Sequence, residues 1–558
     1  MKSPDRMQPT RTTRLRKMLW TKSLLLCCAS CLALGLVSSA AAQSAIPVRP
    51  LPPFVVDPEL PTDIVVNPGQ GLGQCHWLDS AILSLPYVSW AYDAGQAASG
   101  WATIQPEERT FNWEPLDAQI SKADGMGKRI WLELLTTEGQ TPQWAIDAGV
   151  EIVGSRGGAP VPWNETYQRL LRKAVHAMAA RYDNNPAVDA VNIMAGGTYG
   201  EMSFPYSDTV AWERSGYTNE RFVETVKQII DIYLEDEYEW EDGSLTRGFQ
   251  KTPVVLQLGA GLYGHTAVVI RPVVEYAMER YGMRVWLKYN GFGSDHDMGW
   301  VYEQYNTLTR VGYEPGGNSP DFLSRPKEYI RAAVLQHASY LCLQSPYFDI
   351  TDLKWQEARE FAAQYLGTHI VSQGVDAPST VIAGREYVFT TTWMNRGTVP
   401  LMRPHREGVK AVPASYDILI AFIDAASDVP VFQHSLTPSI PTTEWYSAQP
   451  IAIEATVAIP SSVPTGDYDL RVALVNPLQS PYDERHHFRL LNVDLHDGTG
   501  RYTVGRIAVQ NEATPTATSA PPPTLTPTPT NGGEIDQNWL SELLRTIWEW
   551  LRSLLGRS

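Results

Sequence analysis

Short apolar runs alternate with longer amphipathic stretches between residue 71 and about residue 367. This alternation is typical of βα units that build a parallel sheet. The apolar runs predict eight strands, at 71–75, 87–90, 129–135, 188–194, 254–258, 285–289, 311–313 and 340–343. Helical spacing predicts helices at 116–126, 167–180, 222–234, 268–278, 300–308 and 353–366. Eight strands with helices in several of the gaps predict an α/β fold of the (β/α)8 TIM-barrel type.

A doubly wound nucleotide-binding sheet is the competing α/β architecture. Its best support is the glycine-rich run GQGLGQ at 69–74. A phosphate-binding turn has to open a helix, and no helical pattern follows this run. We therefore expect a tight turn into the first strand.

The pattern changes after residue 367 to short β-type runs, at 382–393, 418–423, 451–459, 470–475 and 488–495. Turn residues separate these runs, as in NRG at 395–397 and PTGDY at 464–468. Such spacing is typical of an antiparallel β-sandwich. The sequence therefore predicts a barrel domain at 69–367 and a β-sandwich domain at 368–510.

The N-terminal segment carries a different kind of signal. Residues 1–42 combine a basic start, an apolar run at 23–37 and three alanines at 40–42. This arrangement predicts a cleaved signal peptide, and hence a secreted or cell-surface protein. Lipoprotein processing at Cys31 is the alternative. Residues 43–68 then form a Pro-rich lead-in to the barrel.

The C-terminal segment consists of a Pro/Thr-rich linker at 511–533 and one predicted amphipathic helix at 534–558. The apolar positions of this helix are Trp539, Leu540, Leu543, Leu544, Ile547, Leu551, Leu554 and Leu555. A helix with such a face needs a covering surface. The sequence leaves open whether it docks on a partner or on the protein's own body, or lies on a membrane surface.

Charge and cysteine content narrow the possible partners. The formal net charge of −16 becomes about −22 when residues 1–42 are removed. An acidic surface argues against nucleic acid or an anionic membrane, and favours a neutral ligand. The two cysteines outside the signal segment, Cys75 and Cys342, form either a disulfide or two buried thiols, and are too few for a metal cluster.

Two glutamates follow predicted strands. Glu201 comes after the fourth strand, in the run AGGTYGEM at 195–202, and Glu314 ends the seventh, in RVGYEPGGN at 310–318. The 113 residues between them correspond to about three βα units. Catalytic side chains of α/β barrels lie at the carboxyl ends of the strands. We therefore expect the two carboxylates to face each other across the barrel mouth.

This arrangement resembles the clan-A retaining glycoside hydrolases, and within them the β-galactosidase-like members. The resemblance covers residues 69–366. It rests on both acids and on the runs WATIQPEERTFNWEPLDAQISKADGMGKRIWLELL at 101–135, TPQW at 141–144 and WNETYQRLLRKAVHAMAARYDNNPAV at 163–188. It implies that Glu201 is the general acid/base and Glu314 the nucleophile, with no cofactor or metal. The run TTWMNRGTVPL at 391–401 is similar to uncharacterised domains that follow such barrels.

One residue departs from the family pattern. Such enzymes have an Asn directly before the acid/base, which binds the sugar 2-hydroxyl, whereas this chain has Gly200. Asn192, Tyr199 or Asn290 is the expected replacement. An alternative is that the reaction has been lost.

Further residues are candidates for substrate binding, because sugars need flat apolar platforms and hydroxyl ligands. The expected set is Trp90, Trp101, Glu138, Trp144, Asn192, Tyr199, Tyr289, Asn290 and Gln344. Glu133 competes with Glu138 as the acid after the third strand, and His76 is a possible hydroxyl ligand. Asp295, His296 and Asp297 form either a clamp for a metal or a sugar, or a polar loop. The polar loop is favoured because adjacent side chains point in different directions.

The leading hypothesis is an exported retaining glycoside hydrolase that cleaves an O-glycosidic bond of a neutral oligo- or polysaccharide. The alternative is a non-catalytic carbohydrate-binding or cell-surface scaffold protein that keeps the barrel, since a fold does not establish an activity.

Overall fold

The computed structural model describes residues 65–512, apart from 66, 68, 76–77, 87, 93–95, 156, 265, 293–298, 316–323, 345–350, 447 and 479–486. The predicted signal peptide, most of the Pro-rich lead-in, nearly all of the linker and the C-terminal helix lie outside the described residues. The described residues up to Gln510 belong to one compact unit. None of the described helices is long and apolar enough to cross a membrane.

Eight parallel strands close into a barrel, with neighbours in chain order and the eighth strand paired to the first. They are β1 (Gly71–Cys75), β2 (Val88–Tyr92), β3 (Arg129–Glu133), β4 (Val188–Ile193), β5 (Val254–Leu258), β6 (Val285–Phe292), β7 (Val311–Pro315) and β8 (Tyr340–Gln344). The prediction of a (β/α)8 barrel is confirmed. The largest difference is at β6, which runs three residues past its predicted end.

The helices occupy the connections between the strands. Their bounds are Ser80–Leu83, Gln96–Ser99, Trp101–Ile104, Glu114–Gly125, Gln143–Asp147, Glu165–Tyr182, Thr209–Arg214, Asn219–Leu234, Thr266–Arg280, Gly299–Tyr305, Pro326–Leu335 and Leu353–Tyr365. All six predicted helices are observed. Helix Glu165–Tyr182 begins where the Asn164 side chain accepts a hydrogen bond from the Tyr167 amide, and its apolar face packs into the core around the barrel. Two-residue strands pair as hairpins at Ile152–Val153 with Ala159–Pro160, and at Tyr238–Glu239 with Leu245–Thr246.

Alternating side chains of the strands fill the barrel in layers. Outward residues pack against the helices in the larger core cluster. Inside the barrel, nearer the amino ends of the strands, lies an aromatic layer of Trp90, Trp131, Trp286 and Tyr340. Trp90 stacks on Trp131 with ring centroids 3.8 Å apart, and Tyr340 meets Trp131 edge-on at 5.0 Å. This layer closes the barrel below the inward residues at the carboxyl ends.

Two β-sheets follow the barrel and enclose a second core. The first contains Ile370–Asp376, Glu386–Asn395 and Pro450–Ala458. The second contains Thr380–Ile382, Tyr502–Gln510, Gly466–Val475, Asp417–Asp424 and Val429–Leu436, with His487–Phe488 paired to Gly466–Val475. Arg403–Glu407 and Lys410–Ala414 form a hairpin. Pairing is antiparallel except between Thr380–Ile382 and Tyr502–Gln510. The predicted sandwich is confirmed.

Two predicted sandwich strands differ from the observed ones. The run 382–393 is divided by a turn at Gly384, whose φ of +90° favours glycine. The run 488–495 overlaps an observed strand only at Phe488, the end of the two-residue strand His487–Phe488, and its own end forms the 3₁₀ helix Val493–Leu495. The buried apolar residues of that stretch, Leu490 and Leu491, lie outside any strand, and the 3₁₀ helix buries none of its residues.

The sandwich contacts the barrel at residues that precede strands. Gln70, directly before β1, exchanges hydrogen bonds with the backbone of Thr368. Met283, before β6, packs with Met402 and Ala411 of the hairpin. These contacts lie at the amino ends of the strands. The carboxyl ends, where barrel enzymes carry their chemistry, are at the opposite side.

Candidate active site

Glu314 is held at the centre of the barrel by two donors. On β7 the inward positions are Gly312 and Glu314, and the Glu314 side chain is buried. Lys288 Nζ lies 2.5 Å from Glu314 Oε2, and the Tyr92 hydroxyl donates to the same oxygen at 3.1 Å. Lys288 also donates to Tyr92 Oη at 3.1 Å. The three side chains come from β7, β6 and β2, so the closure of the barrel brings them together.

Gly312 allows this packing. A Cβ at this position would overlap the Tyr340 ring, which reaches across from β8. The bare backbone therefore lets the aromatic layer press against β7 directly below Glu314. Glycine is required here by close approach.

The charges of three carboxylates act on the pKa of Tyr92. Burial is the largest cause that raises its pKa well above the usual value, followed by the negative charges of Glu314, Glu201 and Glu133. Its hydrogen bond to Glu314 acts in the same direction. Tyr92 is therefore protonated at neutral pH and acts as a donor. Since charge interactions weaken with distance, both predicted catalytic acids lie within electrostatic reach of one phenol.

Glu201 lies in a tight loop after β4. Gly196, Gly197 and Gly200 have φ of +108°, +89° and +76°. The Ala195 amide donates to the Gly200 carbonyl at 2.7 Å, and the Met202 amide donates to the Gly196 carbonyl at 2.9 Å. The glycines fold the loop back on itself, so Glu201 is set by backbone geometry.

The same loop is docked against the segment that follows β5. The Gly261 amide donates to the Met202 carbonyl at 2.9 Å, and a Cβ on Gly259 would lie 2.5 Å from the Glu201 carbonyl oxygen. Met202 is buried and has a φ of +56°, which is strained for a residue with a side chain. Such strain is concentrated at functional sites, where the surrounding structure imposes it.

A group of amides surrounds the third acid, Glu133, at the carboxyl end of β3. Asn192 Nδ2 on β4 lies 3.2 Å from Glu133 Oε2, and Gln257 Nε2 on β5 lies 3.5 Å from the same oxygen. Asn192 Oδ1, Gln257 Oε1 and both polar atoms of the Asn290 side chain are buried without a hydrogen-bond partner among the described residues. Buried polar atoms are normally paired, so these atoms have hydrogen-bonding capacity left for a ligand or water.

Gln257, Lys288 and Tyr92 were not among the site residues predicted from the sequence. Gln257 and Lys288 are polar residues inside otherwise apolar strands, at inward positions that are partners across β5 and β6. A polar residue in a buried barrel strand was the signal that could have identified them.

Two predicted platforms belong to the core. Trp90 is fully buried in the aromatic layer, with one face covered by Trp131. Trp101 is fully buried as well, and its Nε1 donates to Gln105 Oε1 at 2.9 Å. Trp144 is half-buried, edge-on to Trp101. Because the rings of Trp90 and Trp101 are buried, their faces are not accessible to a sugar.

The remaining candidates lie at different places. Glu138, half-buried with a φ of +55°, lies on the loop after β3, and Tyr199 is half-buried in the Glu201 loop. Tyr289 belongs to the outer core and packs edge-on to Tyr313 at 6.2 Å. Gln344 ends β8 opposite Cys75. His76, Asp295, His296 and Asp297 lie outside the described residues.

Cys75 and Cys342 form a disulfide between β1 and β8, with their Cα atoms 5.8 Å apart. Both residues are fully buried. Their sulfurs and a Glu314 carboxylate oxygen all lie within 4.8 Å of one another. The group does not suit a cation, because the sulfurs are bonded to each other and Glu314 already contacts an ammonium. The disulfide instead links the two strands that close the barrel, beside the predicted nucleophile.

The segment of the chain that contains Glu133, Asn192 and Glu201 matches a known family. Residues 94–233, about a quarter of the chain, match the glycoside hydrolase family 42 model, described as Beta-galactosidase. Glu314 and Lys288 lie outside this match. A comparison with curated proteins finds no match.

Solved structures show weak similarity. The catalytic domain of a β-amylase from Paenibacillus polymyxa is 9% identical, with 50% of this chain and 93% of that chain covered and a TM-score of 0.34. GH10 from Paenibacillus barcinonensis is 11% identical, with 50% of this chain and 84% of that chain covered and a TM-score of 0.32. A β-galactosidase from the psychrophilic Marinomonas ef1 is 13% identical, with 53% of this chain and 59% of that chain covered and a TM-score of 0.26. Similarity at this level carries no information about substrate.

The predicted resemblance is thus confirmed by sequence over residues 94–233, within a closed parallel barrel of the expected order. On these findings residues 94–233 are similar to the glycoside hydrolase family 42 model, and the chain folds into a closed parallel barrel.

Proposed function

We propose that the barrel hydrolyses an O-glycosidic bond of a neutral oligo- or polysaccharide with retention of configuration. Glu314 is the nucleophile and Glu201 the general acid/base. The observation that carries the proposal is the setting of Glu314, a buried carboxylate at a strand end that contacts Lys288 and Tyr92, with the charge of Glu201 acting on the same Tyr92.

The proposed reaction has two steps. Glu314 attacks the anomeric carbon and forms an ester bond to the sugar, while Glu201 donates its proton to the departing glycosidic oxygen. Glu201 then takes a proton from water, the water oxygen bonds to the anomeric carbon, and the ester bond to Glu314 breaks. Contact with an ammonium favours Glu314 as the ionised acid of the pair.

The unpartnered amides support a carbohydrate ligand. Sugar hydroxyls both donate and accept hydrogen bonds, and Asn192, Gln257 and Asn290 offer buried acceptors and one buried donor group without partners among the described residues. Asn192 is our candidate for the hydroxyl contact that Gly200 does not provide, because it ends inward on the strand that leads into the Glu201 loop. The acidic net charge favours a neutral substrate over an anionic one.

We also propose that the protein works outside the cytoplasm. Residues 1–42 have the pattern of a signal peptide. A disulfide such as Cys75–Cys342 is more common in proteins of oxidising compartments. The terminal amphipathic helix at 534–558 remains our candidate for docking to a partner or a membrane surface.

The decisive experiment is incubation with a panel of activated 2-fluoro glycosides, followed by peptide mass mapping. Such probes form the sugar ester but hydrolyse slowly, so Glu314 should carry the adduct. The matched control is Glu314→Gln, which should remain folded and unlabelled. An adduct on another acid, or turnover by the Gln variant, would overturn the assignment.

The alternative, a carbohydrate-binding scaffold without activity, is favoured by one observation, the glycine in place of the expected Asn at position 200. Binding to an oligosaccharide panel measured by calorimetry, together with product analysis, separates the two functions. Heat of binding with no product and no adduct would support the scaffold.

A further inference from the structure

Lys288 is a fully buried lysine in the middle of the barrel. Its side chain points inward from β6, one strand from Glu314. The ammonium contacts Glu314 Oε2 at 2.5 Å and Tyr92 Oη at 3.1 Å, and lies 4.6 Å from the centre of the Tyr92 ring. Lysine is rarely buried completely, and then only with a partner for its charge.

The charges around this lysine are unequal. Glu314 on β7, Glu201 on the loop after β4 and Glu133 on β3 all act on Tyr92 of β2. Among the described residues, the neighbouring positions that face Lys288 and Glu314 include two neutral groups, Gln257 on β5 and the disulfide between β1 and β8. Carboxylates that share a site disfavour one another's ionised forms. The Lys288 ammonium therefore favours ionisation of the acid that it touches, Glu314.

We propose that Lys288 is the positioning residue of the nucleophile: it keeps Glu314 ionised and fixes the orientation of its carboxylate for attack. The inference rests on the proposed function, in which Glu314 attacks the anomeric carbon. Lys288 and Tyr92 both bond Oε2, and two donors on one oxygen restrict rotation of the group.

The same contact serves the second step. When the ester bond to the sugar breaks, the electron pair returns to the Glu314 carboxylate, and the negative charge reappears. An ammonium in contact with this group stabilises the carboxylate as it leaves. Lys288 thus assists both formation and hydrolysis of the ester without contacting the sugar.

The test compares Lys288→Met, Lys288→Arg and the matched control Lys128→Met. Lys128 is a half-buried lysine before β3 that donates to two backbone carbonyls, at the opposite end of the barrel. The measurement is the rate of Glu314 labelling by the 2-fluoro glycoside that labels wild type, as a function of pH, with thermal unfolding of each variant alongside.

K288M lacks the positive charge that contacts Glu314. The acid limb of its profile, which is the pH range where labelling slows as Glu314 takes up a proton, should therefore move upward by about one to three pH units. K288R keeps the charge and should keep the wild-type limb, with a lower maximal rate because the guanidinium has a different shape. K128M should lower stability and leave the limb in place. If K288M does not fold, Lys288→Gln takes its place, because it also removes the charge but leaves a polar group beside Glu314, and its limb should shift in the same direction.

The outcomes separate this inference from the proposed function. If wild type is not labelled at Glu314, the proposed function fails first. If wild type is labelled there and the limb of the folded K288M variant, or of K288Q in its place, coincides with that of wild type, Lys288 is only a structural residue and the inference is overturned.

Discussion

Met194 occupies the space that a side chain at position 200 would need. A Cβ on Gly200 would overlap the Met194 methyl group and lie 2.9 Å from its sulfur. Gly200 also has a φ of +76°. The conformation and packing of the loop that carries Glu201 therefore leave no room at position 200 for the Asn of the family.

We predict that Gly200→Asn will not restore the family contact. Asn tolerates a positive φ better than most residues, but the overlap with Met194 remains. The variant should be destabilised by about 1–3 kcal/mol, as measured by denaturant unfolding. Met194→Ala combined with G200N should recover part of this loss, and the double-mutant cycle measures the coupling. Equal stability of G200N and wild type would show that the loop adapts.

Gln257→Met should separate stability from activity. The substitution nearly preserves volume and removes a buried carbonyl oxygen that lacks a partner. Stability in denaturant should stay within about 1.5 kcal/mol of wild type, while kcat/KM falls roughly 10- to 100-fold because a buried bond to substrate is lost. Gln433→Met, which removes a buried amide nitrogen of the sandwich without a partner among the described residues, is the control and should leave kcat/KM unchanged. Unchanged activity of Q257M would remove Gln257 from the substrate site.

The Cys75–Cys342 disulfide should contribute to stability because it joins residues 267 apart and limits the unfolded chain. Reduction in denaturant should lower the free energy of unfolding by about 2–4 kcal/mol. The double variant Cys75→Ala/Cys342→Ala is the control, and its unfolding midpoint should not respond to reductant. A response equal to that of wild type would mean that the reductant acts elsewhere.

Stability should also decline in mild acid because of His369. Burial lowers its pKa to about 4, and a hydrogen bond with the Leu366 carbonyl opposes this shift only partly. The unfolded state, with a pKa near 6.5, then binds the extra proton between about pH 6.5 and 4, so stability falls as the pH decreases through that window.

The expected loss from His369 is at most about 3 kcal/mol. Denaturant unfolding at a series of pH values measures this loss. His369→Gln cannot take up the proton, so the difference between its stability and that of wild type should narrow as the pH falls from 6.5 to 4. A constant difference across this range would contradict the assignment to His369.

The local pattern of the chain was enough to predict most of the barrel. Apolar periodicity located all eight strands, and β1 and β5 agree with the prediction at both ends. Strand order follows because consecutive βα units pair side by side with one handedness. The pattern was weaker in the sandwich, where strands such as Tyr502–Gln510 were not predicted because they carry few consecutive apolar residues.

Candidate residues at strand ends were predictable for the same reason, since Glu201 and Glu314 are the acids that follow apolar runs into glycine-rich segments. The sequence did not predict whether a tryptophan lies in the core or at the mouth of the barrel. Trp90 and Trp101 could have served either role, and their burial depends on residues distant in the sequence, such as Trp131 beside Trp90 and Tyr167 beside Trp101.

The sequence by itself therefore determined the elements, their order and the two acids, because hydrophobic periodicity and turn residues act over a few neighbouring positions. Only the tertiary structure decided which side chains meet inside the barrel. The contact of Lys288 with Glu314 and Tyr92, the disulfide between Cys75 and Cys342, and the exclusion of a side chain at Gly200 all depend on how the strands are registered when the barrel closes. Register is set by the packing of the whole interior, and no local stretch of sequence encodes it.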